Sequence, residues 1–299
     1  MTQYRAHFDA TVRFINGGSL TVDRFRLDIP TESVDESTLA RLFVEHLGLA
    51  LVGDAELRNI SVVEERHKGS RGIEIDSAEM GRRVIDLSQT IFDGVVTYPG
   101  LPAPTITSYL SREESRSRYA AGTEFAIDTI TMVGNTGTYL DTPFHRYPDG
   151  EDLSAVAIEK LVGLPAEVFH LEDASQRGIP AEIFFERELR GSAVLLHTGW
   201  DRHFGSNEYG KNAPFLTESG AAHLVEVGVA LVGIDSVNID DTESGGERPA
   251  HTLLLEAGIL VVEHLTCLGQ LPARGARFTA VPPKVKGFGT FPVRAFAEI

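Results

Sequence analysis

The chain has 299 residues, 42% of them hydrophobic and 23% charged, enough to bury one large core or a large core plus a small one. A net charge of −16 with no offsetting basic cluster excludes nucleic acid and anionic membrane as partners. No apolar run approaches the ~20 residues that span a bilayer, and a single cysteine, Cys267, excludes an internal disulfide.

The N-terminus, MTQYRAHFDATVRF, lacks the basic-then-apolar layout of a secretory signal, so a cytoplasmic location is expected. Residues 4–29 read as two strands around the turn NGG. In SVDESTLARLFVEHLGL, Ser33 and Glu36 have capping-box spacing and Leu39, Leu42, Phe43 and Leu47 form one stripe. The pattern predicts a helix that Gly48 ends. ELRNISVVEE reads as a third strand, followed by the charged, glycine-rich joint HKGSRG. Residues 1–72 are therefore expected to form a small ββαβ module, and 73–299 a separate body.

From residue 83 the pattern changes. VIDLSQTI, AIDTITMV, AEVFHL, SAVLLHTG, VALVGID and GILVVEHL are short, β-branched runs of the kind buried on both faces of a sheet. LTESGAAHLVEVG, with Thr217 as N-cap and Gly228 at its end, and HTLLLEAG read as intervening helices. Strands alternating with helices predict an α/β fold.

There is no Gly-rich phosphate loop, GxGxxG, GxSxG elbow, CxxC pair or HExxH, so nucleophilic serine or cysteine catalysis has no local support. Cys267 reads as a small core residue. What remains is polar side chains at strand ends, where α/β proteins line their ligand crevices. His197 ends VLLH, Asp235 ends LVGID, His251 begins a helix and Glu263 ends ILVVE. Asp201 reads as a turn cap. The stretch GNTGTYLDTPFHR, Gly134 to Arg146, adds Asn135, Tyr139, Asp141 and His145, interrupted by Gly137 and Pro143. Those intervals fit neither helix nor strand, and the glycine and proline turn the Asp and His side chains to one side.

Residues 135–145 resemble the signature H-x-G-T-H-x-D-x-P-x-H of the cyclase family of metal-dependent hydrolases, which includes bacterial kynurenine formamidases and isatin hydrolases. VIDLSQTI with TYPG, LLHTGW, GIDSVNID, HTLLLEAGILVVEHL and GFGTFPVRAFA are similar in order, so the resemblance covers roughly 83–299. It implies a swivelling β/β/α domain with a mixed central sheet. It also implies that Asp141, His251 and Glu263 hold metal while His145 acts as acid–base. The two signature histidines are Asn135 and Tyr139 here. An amide oxygen and a neutral phenol are poor ligands, so one ion (Zn, Mn or Fe) is expected rather than two.

Three readings follow. The first is a hydrolase of an amide, formamide or lactam bond, using a mononuclear metal-bound water, with His145 as acid–base and Tyr139 supporting the oxyanion. The second binds no metal and is a lyase, isomerase or cyclase in which Asp141, His145, Glu263 and Tyr139 share acid–base roles. The third is a non-catalytic binding protein on the same scaffold. Asn135, Phe144, Trp200 and His197 are the candidate substrate contacts, with Phe92, Tyr98 and Tyr147 as further aromatic lining. A small molecule is the expected ligand, and the resemblance implies a homodimer or higher homo-oligomer.

Overall fold

The computed structural model describes residues 2–29, 31, 33–49, 51–66, 83–172 and 176–299. The chain divides into two compact units, Met1–Asp76 and Ser77–Ile299. The boundary expected after residue 72 falls within 67–82, outside the described residues.

In the first unit, β1 (Thr2–Phe14) pairs antiparallel with both β2 (Ser19–Ile29) and β3 (Val52–Arg66). Alternate residues of β1, Ala6, Phe8, Ala10 and Val12, share one buried face with Leu39 and Phe43 of α1 (Glu36–His46). The helix does not start on the expected Ser33–Glu36 box. Its N-cap is Asp35, whose carboxylate accepts from Thr38 N at 2.9 Å and from the Ser37 and Thr38 hydroxyls. A carboxylate outcompetes a neutral hydroxyl there because it also meets the positive end of the helix dipole.

The second unit runs β4 (Val84–Asp86), β5 (Thr105–Leu110), α2 (Arg112–Ser115), β6 (Ile127–Thr131), β7 (Tyr139–Asp141) and β8 (Leu164–His170). There follow β9 (Gly178–Ile179), β10 (Ala193–His197), β11 (Phe215–Leu216), α3 (Glu218–Val227), β12 (Leu231–Ile234) and α4 (Pro249–Glu256). The chain closes with β13 (Leu260–Glu263), β14 (Arg274–Thr279), β15 (Thr290–Pro292) and β16 (Phe296–Glu298).

Nine of these strands form one mixed sheet, in the order β15-β7-β13-β12-β10-β8-β14-β16-β4. β8, β10, β12 and β13 run parallel, and antiparallel strands flank them on both sides. Their pleat separates two cores. Leu195, Leu260 and Val262 face one, while Val194, Leu196 and Val261 face the other with Leu224 of α3 and Leu254 of α4. Among the described residues no helix is long and apolar enough to cross a membrane.

One run expected to be buried is not. AIDTITMV supplies β6, which among the described residues pairs only with β5 in a two-stranded ribbon, leaving Ile127 and Ile130 nearly half exposed. Its β-branched residues favour a pleated backbone whether or not a face is covered. VIDLSQTI gives only the three-residue edge strand β4, with Ile85 buried between exposed neighbours.

Candidate metal centre

The stretch from Asn135 to His145 enters the sheet as β7, between β13 and β15. Its register sets Tyr139 beside Glu263 and Asp141 beside Thr290. Gly137 has φ +66°, and a Cβ there would lie 2.7 Å from Ile91. After Asp141 the chain turns through a short 3-10 turn, Pro143–His145, with proline in its first position. Gly289 makes room for that turn, since a Cβ on it would come 2.4 Å from His145 N. The turn brings His145 back to its own strand: Nδ1 is 3.8 Å from Asp141 Oδ1 and 2.7 Å from Thr290 Oγ1.

Hydrogen-bond direction fixes the two imidazoles. Thr290 has one hydroxyl proton and donates it to Asp141 Oδ1, so His145 donates to Thr290 through Nδ1–H. His251, in the first turn of α4, bonds Asp240 Oδ2 through Nδ1 at 2.7 Å. Its Nε2 then faces Asp141 Oδ2 and Glu263 Oε1, each 3.6 Å away. That is too long for a hydrogen bond. It is close to the ~3.4 Å that separates two ligands each ~2.1 Å from a tetrahedral ion.

Asp141 Oδ2 is buried and has no hydrogen-bond partner among the described residues. A lone pair facing two carboxylate oxygens repels them, so a positive charge belongs in the gap, either a metal ion or a proton on His251. The carboxylate behind the imidazole is the arrangement that orients metal-ligating histidines. The donor atoms of Asp141, His145 and His251 all lie within 4.8 Å of one another. Glu263 falls outside that trio and meets it through His251, whose Nε2 lies 3.6 Å from its Oε1. The donors fit a divalent ion.

A model of the Cyclase family matches residues 85–241. The chain is 30% identical over 214 residues to a kynurenine formamidase of Geobacillus thermodenitrificans, covering 71% of this chain and 95% of that protein. The chain belongs to the Cyclase family. Among solved structures, an isatin hydrolase bound to the product analogue thioisatinate shares its fold, with a TM-score of 0.64 and 21% identity over 76% of this chain and 99% of that one. A predicted metal-dependent hydrolase from Bacillus stearothermophilus gives a TM-score of 0.58 and 25% identity, over 73% of this chain and 98% of that one.

Against the Cyclase signature, the substitution of Tyr139 has a visible consequence. Tyr139 donates to Glu263 Oε2 at 2.6 Å, while Ile239 N donates to Oε1 at 2.6 Å. With its proton spent, the Tyr139 oxygen accepts from His264 Nε2–H at 3.2 Å, and His264 Nδ1 accepts from Tyr209 O–H at 2.8 Å. The result is a buried one-way chain, Tyr209 to His264 to Tyr139 to Glu263. Burial pushes the Tyr139 phenol well above its ordinary value, and the Glu263 and Asp141 charges add to that. Burial also lowers His264 to about 3, so the ring is neutral.

The charges at the gap divide. Burial works to raise Asp141, but the contact with His251 and the charges of His145 and His251 hold it below its ordinary value. Burial opposes charge on His251, yet Asp141, Asp240 and Glu263 carry it to about 10. Glu263 is pushed up to about 7 by burial, with the charge of Asp141 adding to it.

Asn135, Tyr139, His145, His251 and Glu263 line one cavity of about 520 Å³, together with Tyr98. The other expected substrate contacts lie elsewhere. Phe144 borders a separate opening that it shares with Asn135 and His145. Trp200 packs with Tyr98, Phe204 and Tyr209, its indole N–H held by Tyr209 O at 2.8 Å. His197 is buried at the end of β10, 2.9 Å from the Nδ1 of His170 and closed in by Gly269. Phe92 lines a different cavity, and Tyr147 packs towards α4 with its hydroxyl on Thr252 O. Asp235 satisfies Thr198 and Gly199, and Asp201 binds Thr266 and Cys267. Sequence pattern pointed to none of Asp240, Thr290, His264 and Tyr209. The available signals were His264 following Glu263 in VVEHL and an aspartate closing NID ahead of α4.

Proposed function

We propose that the chain hydrolyses the carbon–nitrogen bond of a small aromatic amide, formamide or lactam, with one divalent ion held by Asp141, His251 and Glu263. Kynurenine formamidase relatives, matched over 95% of their own length, support the reaction class. The observation that carries the metal is the buried, unpartnered Oδ2 of Asp141 facing His251 Nε2. A divalent ion there, when bound, acidifies water and polarises the carbonyl.

The chain's own residues do the rest. His145, its ring held by Thr290 in the cavity lining, carries the proton to the leaving nitrogen. Tyr139 stays protonated and fixes Glu263. Asn135 and Tyr98 bound the substrate space.

The second reading is the metal-free acid–base enzyme. It is favoured by the engagement of both Glu263 oxygens and by Tyr139 and Asn135 standing where ligating histidines would be. In it, a proton on His251 occupies the gap. Elemental analysis of the purified protein, with formanilide turnover before and after chelation, separates the two. One ion per chain and chelator-sensitive turnover are expected. Two ions per chain would refute the mononuclear site, and none after reconstitution would leave the metal-free reading.

A further inference from the structure

The lining of the cavity carries two carboxylates, Glu247 and Glu263, and two guanidinium groups, those of Arg146 and Arg248. Arg146 Nε reaches Thr252 Oγ1 at 3.4 Å, and its guanidinium lies 5.9 Å from the Tyr147 ring. Arg248 Nη1 donates to the carbonyls of Glu247, at 2.7 Å, and Asp241, at 3.3 Å. Neither guanidinium pairs with a carboxylate of the described residues. That is not for want of acids, since the chain has 43 Asp and Glu against 27 Lys and Arg.

Position strengthens the point. Arg146 directly follows His145 at the end of the 3-10 turn, and Arg248 is the residue from which α4 starts, three before His251. The elements that fix the two imidazoles therefore also fix the two cations. Arg248 is reached by the segment Asp241–Glu247, which Arg177 ties down through Asp241 at 2.5 Å and Glu243 at 2.6 Å. Tyr98 and Leu101 supply an apolar wall, and the half-buried Asn135 an amide.

We propose that Arg146 and Arg248 form an anion-recognising rim, so that the substrate carries a carboxylate in addition to the bond that is cleaved. The inference rests on the C–N hydrolase reading and names its substrate class. A guanidinium donates in a planar fork that a carboxylate matches, and such charge-assisted bonds are the strong ones. The anion at the rim and the carbonyl at the floor give the substrate one orientation, with its ring against Tyr98 and Leu101. Exposed Glu247 shares the rim and works against the anion.

Binding is measured without turnover, by calorimetry, with benzoate and its neutral counterpart benzamide. Benzoate is expected to bind roughly tenfold tighter. Arg146→Gln and Arg248→Gln should each remove most of that preference while leaving benzamide unchanged. Arg248→Lys should restore part of it, and Glu247→Gln should tighten benzoate. If benzoate binds no better than benzamide, the proposal is overturned. The same holds if its preference survives both Gln variants, because the carboxylate would then be held at the floor.

Turnover of 2-formamidobenzoate and formanilide is read separately. If the binding pattern holds while neither is cleaved, the hydrolase reading fails and the anion rim stands. If both are cleaved at equal kcat/KM, with no change in the arginine variants, the rim is refuted and the hydrolase reading stands.

Discussion

At the scale of single residues the centre turns on Tyr139 and His145. His145→Ala should lower kcat by ~10²–10⁴-fold with metal content unchanged, the loss typical of a missing acid–base. Loss of the ion as well would move His145 from proton carrier to ligand. Tyr139→Phe should cost less, because it removes one hydrogen bond to Glu263 and leaves the donors in place. Equal losses in both variants, in a protein without metal, would select the metal-free reading. Asp235 gives a pH test away from the centre. Burial raises its pKa from 3.8 to about 7, against the opposing bonds from Thr198 and Gly199. The folded state therefore holds a proton that the unfolded state has released. The stability it contributes is fully present below pH ~4 and lost as pH rises through about 7. A carboxyl titration by carbon-13 NMR should show that midpoint, and a midpoint near 4 would contradict it. Asp141 and His145 were legible because the eleven local residues 135–145 carry them. Thr290 was not, being 149 positions from the Asp141 it serves and part of no pattern.

At the scale of elements, α4 shows how a helix aims a ligand. Ala250, Leu254 and Leu255 bury one side of it, and Asp240 accepts from the backbone N–H of Ala250 and His251 as well as from the His251 ring. One carboxylate thus caps the helix and sets the tautomer. Asp240→Ala should weaken metal affinity ~10–100-fold and cost roughly 1.5–3 kcal/mol of stability. Isothermal metal titration and urea melts read the two effects, and unaltered affinity would limit Asp240 to capping. The strands of the parallel core and α3, with Thr217 capping it, follow from period and composition. The ribbon of β5 and β6 does not, because β-branched composition reports a pleated backbone and not what covers it. Nor does the start of α1, where Ser33 and Asp35 are both good caps and only the charge decides.

At the scale of the whole molecule, the first unit has a core of its own. Its buried apolar residues run from Ala6 to Leu57, and the family match begins only at residue 85. Deleting 1–72 should therefore leave 73–299 folded. Far-ultraviolet circular dichroism with a cooperative melt is the check, and the spectrum of an unfolded chain would place the boundary elsewhere. The α/β class was readable from alternating strands and helices. The order of the nine strands was not, since β7 joins β13 across about 120 positions and β15 joins β7 across about 150.

The one-way hydrogen-bond chain behind Glu263 makes the centre legible from a distance. Glu263 Oε1 receives a backbone N–H that cannot turn around, so a proton added to Glu263 must settle on Oε2. There it meets the Tyr139 hydroxyl, which has to reverse. His264 must then exchange its Nε2 proton for one on Nδ1, and Tyr209 must turn its own hydroxyl away. The tautomer of one buried imidazole therefore records whether a carboxylate two hydrogen bonds away is charged. Nitrogen-15 shifts of His264 should show a protonated Nε2 while Glu263 is ionised. They should switch when it takes up a proton, a spectroscopic gauge of the centre in a ring that no solvent reaches.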